Sequence, residues 1–266
     1  MIVWIALVVW LGLVIWSLSV VRAAAGADAP PPGRTRAPSG GVPLAGRRRT
    51  IAVGQAILLV GVLATTVLLS NESQWEPLPL VGLLALLVLG SDILVLDAKR
   101  FRIGGSFTGL VLAMALLGPA PAAALGLASA LVDSLRRRVR GTYLLNNLLT
   151  YTTFPLIGGV ALHAIHEAGP EESGYAVAVF CVFIVTNALN FLMIAGHTRL
   201  LRGGSLPEMM RTVFIPVLPW EIASAVMTAM AVYGFEEFGP GIIGLFALAL
   251  GVYQLLLRAL LEGQMH

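Results

Sequence analysis

Apolar runs long enough to be membrane helices, separated by short polar connections, repeat along the whole chain. A bilayer core of about 30 Å is crossed by about 20 apolar residues in a helix. The first run, Ile2 to Val21, has that length. No basic residue precedes it, and it is long for the apolar part of a secretory signal, so 1–21 is expected to be an uncleaved transmembrane anchor. Residues 22–50 hold Pro, Gly, Ala and Arg without apolar periodicity and predict a flexible, basic cytoplasmic linker. Runs at 51–70, 78–98, 105–118, 121–135, 143–166, 174–196, 211–233 and 241–260 then predict a multi-helix transmembrane domain over 51–266.

The fold class expected is therefore all-α, a polytopic membrane helix bundle. The run at 105–135 leaves its span count open. Gly118-Pro119-Ala120-Pro121 breaks it at the midpoint, and each half is short for a crossing. Two short helices give about nine transmembrane helices, by the length rule above; a re-entrant hairpin gives seven plus that hairpin. Both alternatives begin and end on the same side. Ala122, Gly126 and Ala130 form one small-residue seam, and Gly244, Ala247 and Gly251 another, as expected where helix backbones approach closely in lipid.

Composition removes the soluble alternative. Of 266 residues, 58% are hydrophobic and 12% charged, against about 25% charged in a soluble domain. The pI near 9.4 would suit nucleic acid, but the placement of charge excludes that partner. Alternate connections hold all seventeen Lys and Arg residues: the linker, then Lys99, Arg100 and Arg102, then Arg136, Arg137, Arg138 and Arg140, then Arg199, Arg202 and Arg211, and finally Arg258. The intervening connections hold Glu72, Glu76, Glu167, Glu171, Glu172, Glu236 and Glu237, with no Lys or Arg. Basic connections stay cytoplasmic during insertion, so the expected orientation is amino terminus outside and carboxyl terminus inside, in the inner (plasma) membrane.

An ionisable group inside a span costs about 2.5–3.5 kcal/mol on insertion scales, which makes Asp92 and Glu221 conspicuous. Asn187 and Asn190 share a helix face at a similar depth. Pro216 and Pro219 precede Glu221 and predict a kinked or broken helix there. Broken helices with polar groups at mid-membrane are how transporters build solute sites. Asp92, Asn187, Asn190 and Glu221 are thus the candidate ligand-binding residues of one pocket, with Asn147 and Tyr151 as secondary candidates. The competing reading makes the same groups interhelical hydrogen bonds that hold the bundle together. Asp133 is expected to pair locally with the arginines beside it, and His197, at a helix end, to cap or meet lipid. His163, His166 and Glu167 lack metalloprotease spacing and read as solvated surface. No phosphate-binding loop or nucleophile elbow is present, so no catalytic residue, metal or cofactor is expected, and no enzyme.

The stretch from Gly105 through the Gly-Pro-x-x-Ala break to the arginines at 136–138, followed by Tyr143-Leu-Leu-Asn-Asn, resembles a membrane-embedded bacterial region. It is the one that precedes HD-GYP or GGDEF domains in cyclic-di-GMP signalling proteins. The resemblance covers about residues 90–200 and carries no set of functional residues. It implies a sensory or signal-transducing module that binds a small or lipophilic ligand and acts on a cytoplasmic signalling protein. A homodimer is the further association to consider, beside the lipid bilayer itself. A transport component for a small solute or proton, and a structural membrane subunit, are the alternatives.

Overall fold

The computed structural model describes residues 44–93, 96–98, 101–103, 105–169, 172–249 and 251–252. The anchor at 1–21, the linker up to residue 43 and the end of the chain from 253 lie outside the described residues. The described part is a helical assembly with one small strand pair. Helix α1 runs Leu44–Leu69, α2 Leu78–Ile93, α3 Ser106–Leu116, α4 Pro119–Arg136, α5 Thr142–Glu167, α6 Glu172–Arg202 and α7 Ile215–Phe238. A helical stretch over 241–249 follows as α8.

Two boundaries differ from expectation. Helix α1 begins at Leu44 and takes in Arg47–Arg49, which the sequence reading gave to the linker. Arginine is a good helix former and its long side chain reaches polar surroundings from a helix end, so the span continues beyond its apolar part. The run at 78–98 is also not one helix. It ends at Ile93, and Leu96–Ala98 pairs antiparallel with Phe101–Ile103, Leu96 opposite Ile103. A strand pair satisfies the backbone of this turn locally, which an all-helical reading has no means to anticipate.

Among the described residues, three helices are long and apolar enough to cross a membrane by themselves: Arg48–Leu69, Thr142–Glu167 and Gly174–Arg202. The bent pair Leu206–Pro219 and Glu221–Phe238 makes a fourth if it counts as one span. In the first of these only 11% of the most apolar window is buried although its mean hydropathy is 2.3. Its outward positions, among them Val53, Ile57, Val60, Val67 and Leu68, are exposed and apolar. A water-soluble protein rarely exposes so continuous a patch, whereas lipid requires one.

Helix α3 occupies the middle. Its eleven residues make about 16 Å at 1.5 Å per residue, half a bilayer core. Leu110, Val111, Leu112 and Ala113 are completely buried, because α2, α4, α5, α6 and α7 all pack against α3. A helix enclosed on every side is apolar all round, as this one is.

The tightest pairing, α4 on α5, follows from two residue types. Pro155 has no N–H, so the carbonyl of Tyr151, one turn earlier, loses its helical partner. Gly126 lies directly against that oxygen, and a Cβ there would overlap it. Ala122 and Ala130, in the same seam, are buried with it. Two turns on, Gly159 meets the hairpin tip, where a Cβ would stand 2.5 Å from Pro119 Cα. The second seam has no such contact: beside Gly244 and Gly251 a Cβ meets nothing within 4 Å among the described residues.

The connections sort to two ends. Gly118 and Ala120, at the tip between α3 and α4, meet Gln74 in the acidic connection after α1. At the opposite end, Arg136 Nη1 donates to the Asp92 carbonyl oxygen at 2.7 Å. Replacing Gly126 with alanine should therefore destabilise the fold by about 1–3 kcal/mol. Gly244→Ala should change stability little, and thermal unfolding in detergent of the two variants checks the contrast.

Candidate functional site

The polar residues inside the bundle form three groups. The first is built on the broken helix. Single turns of α-helix, Leu206–Met209, and of π-helix, Met210–Phe214, lead into α7, which bends by 44° between Pro219 and Glu221. Pro219 cannot bond the Ile215 carbonyl one turn back, and its ring pushes that carbonyl aside. The bend turns Glu221 toward α6, where Asn187 Nδ2 donates to Glu221 Oε2 at 2.7 Å. Asn187 is buried and Glu221 half-buried. One turn along α6, the Oδ1 atom of Asn190 is buried without a hydrogen-bond partner among the described residues. Toward the basic end, the ring of Phe191 on α6 packs at 4.8 Å against that of Phe214, on the π-helical turn before α7. Asn187, which holds the Glu221 carboxyl group, and Asn190, whose amide oxygen has no partner among the described residues, thus stand one turn apart on α6.

Asp92, expected in the same pocket, belongs to a second group. Ser129 Oγ on α4 donates to Asp92 Oδ2 at 2.5 Å, and both residues are buried. Helix α2 packs against α3 and α4, while Asn187 and Glu221 join α6 to α7. Of the four candidates, then, Asn187 and Glu221 are joined directly, Asn190 lies one turn away, and Asp92 is engaged on a different helix pair. Linear counting gives depth along the membrane normal but not the position of a helix around the bundle.

The third group was not anticipated. Gln55 on α1 places Nε2 3.0 Å from Asn146 Oδ1 on α5 and 3.0 Å from His197 Nδ1 on α6. All three side chains are over nine-tenths buried. Gln55 Oε1 and His197 Nε2 have no partner among the described residues. The His197 ring meets Tyr143 edge-on at 5.2 Å, and the Arg202 guanidinium lies 5.4 Å over the Tyr143 ring. His197 therefore closes a three-helix junction, where the sequence suggested a cap or a lipid contact. Asn146, not the half-buried Asn147, carries the interaction at this position, and Tyr151 contributes its carbonyl to Gly126 and its ring to Phe154. The signal that could have found the junction was Gln55, a polar residue inside the first half of an otherwise apolar run. Asp133 does pair locally, with Arg137 Nε at 3.0 Å.

Comparison with protein-family models, with curated protein sequences and with solved structures finds no match. The function must be argued from these groups. Gln55→Ala removes the residue that serves both Asn146 and His197. It should lower stability by about 1–3 kcal/mol, measurable as loss of unfolding resistance in a detergent titration.

Proposed function

We propose that the chain is a multi-pass sensory module of the bacterial inner membrane that binds a small polar or lipophilic ligand between α6 and α7. The observation that carries the reading is the Asn187–Glu221 hydrogen bond at the 44° bend, with the Asn190 Oδ1 acceptor left open beside it. Burial of an unpaired acceptor costs about 1–3 kcal/mol, so a ligand with a hydroxyl or amine donor gains by filling it. Such a ligand would bias the angle at Pro219. Helices α6 and α7 both approach the basic end, where a cytoplasmic signalling protein or a second copy of the chain would sense the change. The likeness of residues 90–200 to the membrane regions of HD-GYP and GGDEF proteins supports the same role, without catalysis by this chain.

In this reading the basic end is cytoplasmic and the acidic end extracellular. The α3–α4 hairpin counts as two short crossings, giving nine in all with the amino-terminal anchor. The contact of its tip with Gln74, in an acidic connection, favours that count over a re-entrant loop. Connections this short offer a large extracellular protein nothing to hold, so the signal arrives as a small solute or through the bilayer. The broken helix with an acid at its break also suits a second reading, transport of a solute or proton. Flux into vesicles that depends on Glu221 would favour it.

Two measurements test the proposal. In wild type, a solute panel rich in small hydroxyl and amine compounds should contain one that raises the unfolding temperature. Glu221→Gln and Asn190→Leu should each abolish that shift. If no solute stabilises the wild type, or the variants respond unchanged, the groups are structural hydrogen bonds and the ligand reading fails. For orientation, single cysteines replace Glu167 and Arg199 in a Cys181→Ala background. A membrane-impermeant maleimide should label position 167 in intact cells and position 199 only after lysis; the reverse pattern would invert the topology.

A further inference from the structure

The end of α3 holds an open cleft that the α6–α7 site does not use. It has a volume of about 160 Å³ and is lined by the five consecutive residues from Met114 to Gly118, with His163, His166, Tyr175, Phe235 and Glu236 around them. Five consecutive residues of a helix can face one cleft only at the helix end. As at any helix end, the last carbonyls lack helical partners here. The N–H groups of Leu117 and Gly118 both go to the Ala113 carbonyl. Pro119 and Pro121 have no N–H, and the Ala120 N–H goes to Gln74 Oε1. The carbonyls of Met114, Ala115, Leu116 and Leu117, which residues 118–121 would pair in a continuing helix, are therefore left over. Tyr175 Oη donates to the Ala115 carbonyl at 2.9 Å, and the others have no bond from another element among the described residues.

The surroundings select a cation. The C-terminal end of a helix carries partial negative charge, and the exposed carboxylate of Glu236 adds a formal one. Among the described residues Glu236 has no ion-pair partner, whereas His163 is held by Glu167 at 3.3 Å. Two aromatic side chains, Tyr175 and Phe235, line the cleft, as suits an ammonium group better than a strongly hydrated metal ion. The buried Met114 and Leu117 provide an apolar floor for a short alkyl chain.

We infer that this cleft binds the ammonium group of a small organic cation, held by the free carbonyls at the end of α3 and by Glu236. The same chemistry is offered by a free alkylamine and by the headgroup of an ethanolamine lipid in the adjoining leaflet. The whole chain is reconstituted in nanodiscs of phosphatidylglycerol alone, with and without ethylammonium at matched ionic strength, and in nanodiscs containing phosphatidylethanolamine. Binding of ethylammonium, or a higher unfolding temperature in ethanolamine lipid, is expected in wild type and in the neighbouring Glu237→Gln. Glu236→Gln should weaken it at least about tenfold, as loss of a charge-assisted contact implies. A response to ethylammonium identifies a free solute, and a response to the lipid alone identifies the headgroup. The inference is overturned if sodium stabilises equally, if Glu236→Gln responds like wild type, or if neither probe has an effect. Glu221→Gln should leave this response intact, which separates the cleft from the α6–α7 site.

Discussion

A helix of eleven residues, about 16 Å long, leaves a large share of its backbone groups at its two ends, and surrounding elements must supply their hydrogen bonds. That constraint governs the arrangement around α3. Its far end is terminated by Gly118, at φ +100°, and by the two prolines that start α4. Gln74, itself buried, holds the turn by accepting from Ala120 and donating to the Leu69 carbonyl at the end of α1. Tyr175, from α6, closes one of the α3 carbonyls left over there, that of Ala115. Neighbouring elements thus supply part of what a continuing helix would, and five other helices pack around α3.

The enclosure depends in turn on how closely α5 approaches. Its Tyr151-to-Gly159 stretch presents the Tyr151 carbonyl to Gly126, open backbone to Pro119 and a gap for the Met114 side chain at Gly158. Without a hydrophobic driving force between helices in lipid, such close contact of small residues is what fixes their positions. Polar bonds then define register at separate points: Asp92 with Ser129 between α2 and α4, Gln55 with Asn146 and His197 between α1, α5 and α6, and Asn187 with Glu221 between α6 and α7. In the first two every side chain is buried. The third includes the half-buried Glu221, where α7 is bent.

The outline of this architecture was legible because bilayer thickness acts on one variable, the length of an apolar run. Element limits at 105–118, 121–135 and 143–166 fall close to α3, α4 and α5 for that reason. The break at Gly118 and the bend after Pro219 were legible too, since proline removes an N–H wherever it occurs. Asn187 and Glu221 stood out as polar groups in apolar surroundings, and they do meet.

Other features depended on neighbours distant in sequence. Whether Asp92 faces Ser129 or Glu221 is set by the order of helices around α3, which hydropathy does not encode. Gln74 looked like one more polar loop residue, and His197 like a helix end, until the ends of other helices were brought against them. The strand pair at 96–103 likewise arises from two short segments finding each other across a turn. The sequence by itself determined that the chain is helical, apolar and divided into basic and acidic connections, because those properties follow from local composition. Only the tertiary structure decided which polar side chains share a site, because a hydrogen bond between helices requires both partners at one place, and periodicity fixes each helix face without fixing what it faces.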